Sequence, residues 1–138
     1  MACRKSLRLE VDYKMEELAY IVYTVIRADR MDDLTAWELS VFYTRQMAEH
    51  AFDEILERLK KLRDEKKLKV DVRVLLNKVE YMDELEALEA MAAKLAAKFE
   101  DMPEGELDIN IGKETYKCIS ENAPGLGNNL KYRDVYFD

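Results

Sequence analysis

The sequence predicts a mainly α-helical protein, a four- to five-helix bundle built on a long helical hairpin. Only 4 glycines and 2 prolines interrupt the 138 residues, and so few breakers favour long helices over many short strands. Apolar residues recur at spacings of three and four along much of residues 12–101, which is the period of an amphipathic helix. Helix-capping patterns precede two of these stretches. A small β element from the terminal segments is left open.

One domain is expected to use the whole chain, residues 1–138. Hydrophobic residues make up 49% of the sequence and charged residues 37%, so a packed core and a well-solvated surface are both available. A chain of this length normally folds around a single core. We expect the helical core at about 12–101 and a less regular C-terminal segment at 102–138.

The first helix is expected from Asp12 to Ala28. Asp12 is a good N-cap residue, and one apolar stripe follows it at helical spacing. Tyr13 and Tyr20 lie on the opposite face, which indicates a helix with contacts on both sides. The stripe is formed by Met15, Leu18, Val22 and Val25.

The second helix is expected to begin at Thr35 and to run to about Lys66. Thr35 and Glu38 have the spacing of a capping box, and Leu34 and Leu39 have that of a hydrophobic staple. Its length of roughly 30 residues corresponds to about 45 Å. The predicted apolar stripe contains Trp37, Val41, Thr44, Ala48, Phe52, Ile55, Leu59 and Leu62.

Two more helices are predicted at about 71–81 and 84–101. Their apolar faces would lie more than 90° apart on one continuous rod, and residues 83–86 read as a new capping box. We therefore expect a break between Tyr81 and Glu84. The long hairpin would be formed by antiparallel pairing of the second helix with the segment 71–101.

Beyond Met102 the period changes. Alternating apolar residues, typical of strands, occur at 107–111, at 7–11 and around Leu130 and Tyr132. A short helix is predicted at 113–121. Two or three short strands at the termini would supply the small β element.

Charge and targeting signals narrow the class of protein. The net charge of −7 disfavours nucleic acid, because binding to phosphates requires an excess of Lys and Arg. Acidic residues stand where the apolar core of a signal peptide would begin. The apolar run 18–26 is too short to span a bilayer. Cys3 and Cys118 have no metal or redox spacing, so we expect a reducing cytoplasm and leave a disulfide between them open.

The amino-acid usage favours a hyperthermophilic source. The chain contains 17 Glu and 13 Lys but a single Gln and a single His, which is the charged-rich, amide-poor bias of such proteins. We expect an accessory protein of a hyperthermophile, or of one of its viruses or plasmids.

Arg45 and His50 form an Arg-x4-His pattern. This pattern resembles the ribonuclease signature of helical HEPN domains, and the resemblance implies phosphodiester cleavage by the two side chains. Five positions along a helix place them about 140° apart. A partner chain would therefore be needed to complete such a site.

A second resemblance lies in four carboxylates, Glu54, Glu57, Glu80 and Asp83. Their spacing is similar to the pattern of the all-α nucleoside triphosphate pyrophosphohydrolases, the MazG-like family. The resemblance implies that they hold Mg²⁺ against substrate phosphates, as hard oxygen ligands do. Asp53 stands where that family has its first Glu. In the competing interpretation, the carboxylates belong to a solvated face.

We expect a non-enzymatic protein without metal or cofactor, which binds a protein partner and forms a homodimer. Aromatic and methionine side chains with few charges among them are typical of interface centres. The alternative, that they pack inside the monomer, is left open. The interface candidates are Tyr13, Tyr20, Trp37, Leu39, Phe42, Tyr43 and Met47.

Overall fold

The computed structural model describes residues 18–27, 34–68, 70–101, 109–123 and 129–136. These residues form an α+β fold with one four-stranded sheet and three helices. In chain order the elements are β1 (Ala19–Arg27), β2 (Leu34–Phe42), α1 (Arg45–Asp64), β3 (Asp71–Val79), α2 (Met82–Asp101), α3 (Ile109–Asn122) and β4 (Lys131–Val135).

The sheet has the strand order β2-β1-β3-β4, and every neighbouring pair is antiparallel. β1 is a central strand: Tyr20 lies between Phe42 of β2 and Lys78 of β3. β2 and β4 are the two edges. Leu76 of β3 pairs with Lys131 at the start of β4.

The predicted mainly α-helical bundle is wrong, and β1 shows why. The chain that was expected to form the first helix is a strand over Ala19–Arg27. Residues 19–25 are each at most 9% exposed, because both faces of this strand are covered. A strand buried on both faces has no polar alternation, so its apolar residues fit a helical spacing equally well. The β-branched and aromatic composition of this run was the better signal.

The same error affects β3 and β2. The helix predicted at 71–81 is the strand Asp71–Val79, which is buried on both faces at most positions. The apparent capping box lies within β2, where Thr35 is buried and pairs with Ile26. The helix begins ten residues later, at Arg45, and its N-cap is Thr44, whose hydroxyl accepts a hydrogen bond from the Met47 amide at 3.2 Å.

A β-bulge divides β2. Opposite Thr24 and Val25 of β1, the partner residues step from Glu38 to Ala36, so that Trp37 is the extra residue. Because a bulge changes the phase of a strand, Ala36 and Leu39 both lie in the same core cluster.

Two helical layers bury the sheet. α1 covers one face, and α2 and α3 pack against each other on the opposite face, where their main contacts with the sheet are with β2. The first core contains Tyr20, Val22, Ala48, Phe52, Ile55, Leu59, Leu68, Val72, Val74, Leu76 and Val135. The second contains Ala19, Ile21, Tyr23, Val25, Ala36, Leu39, Leu75, Val79, Leu85, Leu88, Leu95, Ile119 and Ala123.

Other sequence predictions are confirmed. The helix expected at 84–101 is α2, and the helix expected at 113–121 lies within α3. The alternation at Leu130 and Tyr132 leads into β4.

The strand expected at 107–111 is wrong at 109–111, which are helical. The expected strand at 7–11 lies outside the described residues, and so do Tyr13 and Cys3.

Gly112 allows α3 to approach β2 closely. A Cβ atom at this position would overlap Thr35 Cγ2 and would lie 3.2 Å from the Ala36 carbonyl oxygen. Thr35 is only 4% exposed, so its side chain has little room to move away. The absence of a side chain at residue 112 therefore sets the distance between the helix and the sheet.

We predict that Gly112→Ala lowers the free energy of unfolding by about 1–3 kcal/mol, the usual effect of overpacking. This loss would occur although alanine favours a helix by about 1 kcal/mol. Thr35→Ser removes the overlapping Cγ2 atom, so the double variant should recover at least about half of the loss. Denaturant unfolding of the four proteins measures this coupling. A Gly112→Ala protein as stable as wild type would contradict the assigned packing.

Candidate functional site

An open cleft of about 430 Å³ lies at one end of β3. This volume is within the range of sites that hold small molecules. Three stretches of chain border it: the connection from β3 into α2, the end of α3, and the approach to β4. The lining residues are Asn77, Lys78, Glu80, Tyr81, Glu84, Ala123, Asn129 and Leu130.

Backbone hydrogen bonds hold these three stretches in place. The Leu85 amide donates to the Tyr81 carbonyl at 3.0 Å and starts α2. The Ala123 amide donates to the Ile119 carbonyl at 2.7 Å and closes α3. The Leu130 amide donates to the Leu76 carbonyl at 2.9 Å, which joins the approach of β4 to β3. The cleft is thus bounded by ordered backbone on three sides.

Asn77 is the unusual residue of this cleft. It is 2% exposed, and it follows Leu75 and precedes Val79 on the face of β3 that builds the second core. Its Oδ1 atom has no hydrogen-bond partner within the described part of the chain. Leaving a buried acceptor unsatisfied costs about 1–3 kcal/mol. The fold therefore tolerates a polar group here at the expense of stability.

Tyr23 lies beside it on the same face. Tyr23 is fully buried and pairs with Leu75, while Asn77 pairs with Ile21. The Tyr23 hydroxyl oxygen also lacks a hydrogen-bond partner among the residues that the structure describes. Burial raises the pKa of Tyr23 well above its usual range, and Tyr116 adds to this. The Asn77 side chain acts in the opposite direction on the pKa of Tyr23, but Asn77 Oδ1 and the Tyr23 hydroxyl oxygen form no hydrogen bond with each other.

The charged groups of the cleft carry an acidic excess. Lys78 Nζ lies 3.1 Å from Glu80 Oε2, so its positive charge is already balanced by a carboxylate. Glu84 belongs to the first turn of α2, where a negative charge is favoured by the helix dipole. With one Lys and two Glu, the lining has a formal charge of −1.

A charged and aromatic cluster on β3 and β4 lies further along the same face. Arg73 donates to both carboxylate oxygens of Asp134, at 2.6 and 3.1 Å, and its guanidinium lies 4.6 Å from the centre of the Tyr132 ring. The hydrogen bond to Asp134 raises the pKa of Arg73. The Tyr136 hydroxyl donates to Asp134 at 3.2 Å. These contacts fasten the edge strand β4 to β3.

The interface candidates are divided by the fold. Tyr20 and Leu39 are buried on opposite faces of the sheet, and Trp37 and Phe42 are half-buried. Tyr43 and Met47 are 59% and 58% exposed. Of the predicted set, these two therefore offer the largest fractions of accessible side chain among the described residues.

Two further apolar residues lie at the same end of the sheet, Leu18 and Met82, at 38% and 55% exposure. The Leu18 amide donates to the Val79 carbonyl at 2.8 Å, and Tyr43 directly follows β2. Neighbouring strands are about 4.8 Å apart, so the end of β2, the start of β1 and the end of β3 stand side by side. We call Leu18, Tyr43, Met47 and Met82 the apolar end patch.

The ribonuclease pattern does not assemble. Arg45 is held by Glu49 at 2.9 Å, and His50 lies 3.2 Å from Glu54. The His50 side chain is 74% exposed. Each residue is thus engaged with a carboxylate one turn away along α1, and the two do not converge.

The four carboxylates of the pyrophosphohydrolase pattern are also separated. Glu54 and Glu57 are exposed on α1, whereas Glu80 and Asp83 flank the start of α2, which packs on the other side of the sheet. Within the described ranges, no group of three or more His, Cys, Asp or Glu residues could hold a metal ion. The α+β fold also departs from the all-α fold that this resemblance implied.

Cys118 is a free, half-buried thiol. Burial raises its pKa, a hydrogen bond from Asn122 acts in the opposite direction, and Glu121 adds to the increase. A higher pKa means less thiolate at neutral pH, and the thiolate is the nucleophile. The environment of Cys118 therefore suits a structural residue.

Sequence reasoning missed Asn77 and Tyr23. The available signal was a single amide directly after the apolar run 74–76, which becomes visible only once this part of the chain is known to be a strand. No helix of the described chain is long and apolar enough to cross a membrane.

No protein-family model, curated protein or solved structure matches this chain.

We predict that wild-type stability falls as pH rises above about 10. The unfolded chain releases the Tyr23 proton near its ordinary pKa of 10.0, whereas the folded chain retains it. The unfolded state then binds fewer protons, so raising the pH favours unfolding. Tyr23→Phe should reduce this alkaline slope, and should leave stability at pH 7 unchanged or increase it by up to about 1 kcal/mol.

Denaturant unfolding between pH 7 and pH 11 measures both effects. Tyr132→Phe makes the same change at an exposed side chain, and shows how much of the slope any tyrosine accounts for. A Tyr23→Phe protein that is strongly destabilised at pH 7 would mean that the hydroxyl is satisfied in the folded state.

Proposed function

We propose that this protein is a non-enzymatic protein–protein interaction module, and that it forms a homodimer through the apolar end patch. The observation that carries the proposal is the collection of exposed apolar side chains at one end of the sheet. Single exposed apolar residues are ordinary on a surface, whereas several at one end of a fold favour an interaction site. The cytoplasmic setting expected from the sequence belongs to the same proposal, and the free Cys118 thiol is consistent with it.

The backbone on which the patch residues stand is ordered, and one of the side chains is held in position. Tyr43 is held by a hydrogen bond from its hydroxyl to Glu89 of α2, and Met47 lies in the first turn of α1 next to the Thr44 cap. Leu18 is fixed by its backbone bond to β3. The Tyr43 side chain, already held in position, loses less conformational entropy on association. Tyr and Met are also residue types that are enriched at interfaces.

A second copy of the chain is the partner that this surface fits best. In a dimer with two-fold symmetry, the same patch is buried on both subunits, so an apolar patch is complementary to itself. Positive and negative side chains both lie close to it along the chain, as the ion pairs Arg45–Glu49 and Lys78–Glu80. A rim of mixed sign lets two copies meet without setting like charges against each other. The net charge of −7 then opposes association only at long range.

We predict that the double variant Tyr43→Glu/Met47→Glu is a folded monomer, whereas the wild type is a dimer. Burying new carboxylates without partners strongly disfavours an interface, and we expect the dimer Kd to rise at least about a hundredfold. Sedimentation equilibrium over a series of protein concentrations measures the Kd. Far-UV circular dichroism checks that the variant is folded.

A matched control adds two carboxylates elsewhere. Ala96→Glu/Ala97→Glu changes two exposed positions on α2, and its Kd should remain within about threefold of the wild type, since surface substitutions are usually mild. A wild type that stays monomeric at every concentration would refute the dimer. Dissociation of the control, with the patch variant still dimeric, would place the interface elsewhere.

A further inference from the structure

We propose that Met47 and Met82 are oxidation sites within the apolar end patch, and that a peroxide dissociates the homodimer by converting their thioethers to sulfoxides. This inference rests on the proposed function, because it concerns the regulation of the same surface. It starts from exposure, since the two residues are 58% and 55% exposed. Half of the residues that define the patch are therefore methionines that an oxidant in solution can reach.

The fold brings these two methionines to one end of the sheet from two different helices. Met47 lies in the first turn of α1, and Met82 is the first residue of α2. Tyr43 connects the two helices, because it precedes α1 in the chain and its hydroxyl donates to Glu89 of α2. Glu89 follows Met82 by about two helical turns, and therefore lies on the same face of α2. An oxygen atom added to either sulfur atom changes the patch itself.

The other sulfur atoms of the described residues are less suited to this reaction. Met91 is half-buried and packs against the second core. Cys118 is also half-buried, and burial raises its pKa, so little of the reactive thiolate is present at neutral pH. A thioether needs no deprotonation before it reacts. Exposure and chemistry therefore both direct a peroxide to Met47 and Met82.

The reaction is the transfer of one oxygen atom. The thioether sulfur attacks one oxygen of the peroxide, the O–O bond breaks, and a sulfur–oxygen bond forms. Sulfur loses two electrons, the peroxide gains them, and hydrogen peroxide leaves as water. A thiol-dependent methionine sulfoxide reductase reverses the change. It transfers two electrons from two thiols, which become a disulfide, and the oxygen atom leaves as water.

The added oxygen opposes association. It converts an apolar side chain into a polar one, and burying a polar acceptor without a donor is unfavourable. In a two-fold dimer each subunit contributes both methionines to the same interface, so every sulfoxide acts twice. The dimer covers the patch, and the peroxide therefore reacts with the free subunit. Oxidation then removes that subunit from the monomer–dimer equilibrium.

The test treats the full chain with an excess of hydrogen peroxide. Peptide mass spectrometry locates each added oxygen atom, sedimentation equilibrium measures the dimer Kd, and far-UV circular dichroism checks the fold. We expect the Kd of protein oxidised at Met47 and Met82 to rise at least about tenfold. A methionine sulfoxide reductase with dithiothreitol should restore the original Kd.

The rate of oxidation is a second measurement. At protein concentrations well above the Kd, Met47 and Met82 should be oxidised at least about threefold more slowly than at concentrations well below it, because the dimer shields them. A rate that does not depend on protein concentration would contradict their burial in the dimer.

Two variants assign the loss of affinity to the patch. Met47→Leu/Met82→Leu keeps the patch apolar and removes both thioethers, so peroxide should change the variant's own Kd by less than about threefold. Met91→Leu keeps both thioethers and removes a methionine outside the patch. Its dimer should lose affinity after peroxide treatment as the wild-type dimer does.

Three outcomes would overturn the proposal. One is an unchanged Kd in folded wild-type protein whose Met47 and Met82 are fully oxidised. Another is an equal loss of affinity in Met47→Leu/Met82→Leu, which would assign the effect to a different sulfur atom. Both leave the dimer of the untreated protein intact. A wild type that is monomeric before treatment is the third, and it alone would refute the proposed function as well.

Discussion

The structure depends on the burial of β1 on both faces. Residues 19–25 are each at most 9% exposed, and a strand with apolar side chains on both sides needs a layer of structure against each of them. α1 supplies one layer, and α2 with α3 supplies the other. Neighbouring strands on both edges of β1 satisfy its backbone groups, which a buried segment requires. The order of the sheet and the three-layer architecture follow from this one strand.

This burial also decided how much of the structure the sequence could predict. α2 and α3 have one apolar stripe each against charged surroundings, and periodicity identified both. β1 and β3 are apolar on two faces, and periodicity alone cannot separate such strands from helices. The Thr35–Glu38 pair shows that a capping pattern does not by itself start a helix, because sheet pairing with β1 prevailed there. Of the end patch, Tyr43 and Met47 could be predicted from residue type. The cleft could not, because its walls come from segments that only the fold brings together.

The second core and the cleft illustrate two uses of the same sheet face. Near β2, Gly112 brings α3 close enough to exclude any further atom, and the packing is tight. Toward the end of β3, the layer gives way to an open cleft, and Asn77 and Tyr23 leave polar atoms unsatisfied beneath it. The close packing of α3 on β2 stabilises the domain. This stability lets the fold tolerate the buried, unsatisfied polar atoms near the end of β3, within the narrow margin typical of folded proteins.

The register of β4 has a kinetic consequence. Leu76 and Lys131 pair across adjacent strands, yet α2 and α3 lie between them in the chain, so this contact closes the longest loop of the sheet. Such closures limit folding rates more than stability. The β1–β2 hairpin and α1 can form from local contacts, whereas the cleft acquires its Leu130 wall only when β4 has docked. Molecules halted before that step would lack Val135 over the α1 core and would expose the unpaired edge of β3, the feature of a partly folded chain that most readily recruits other chains.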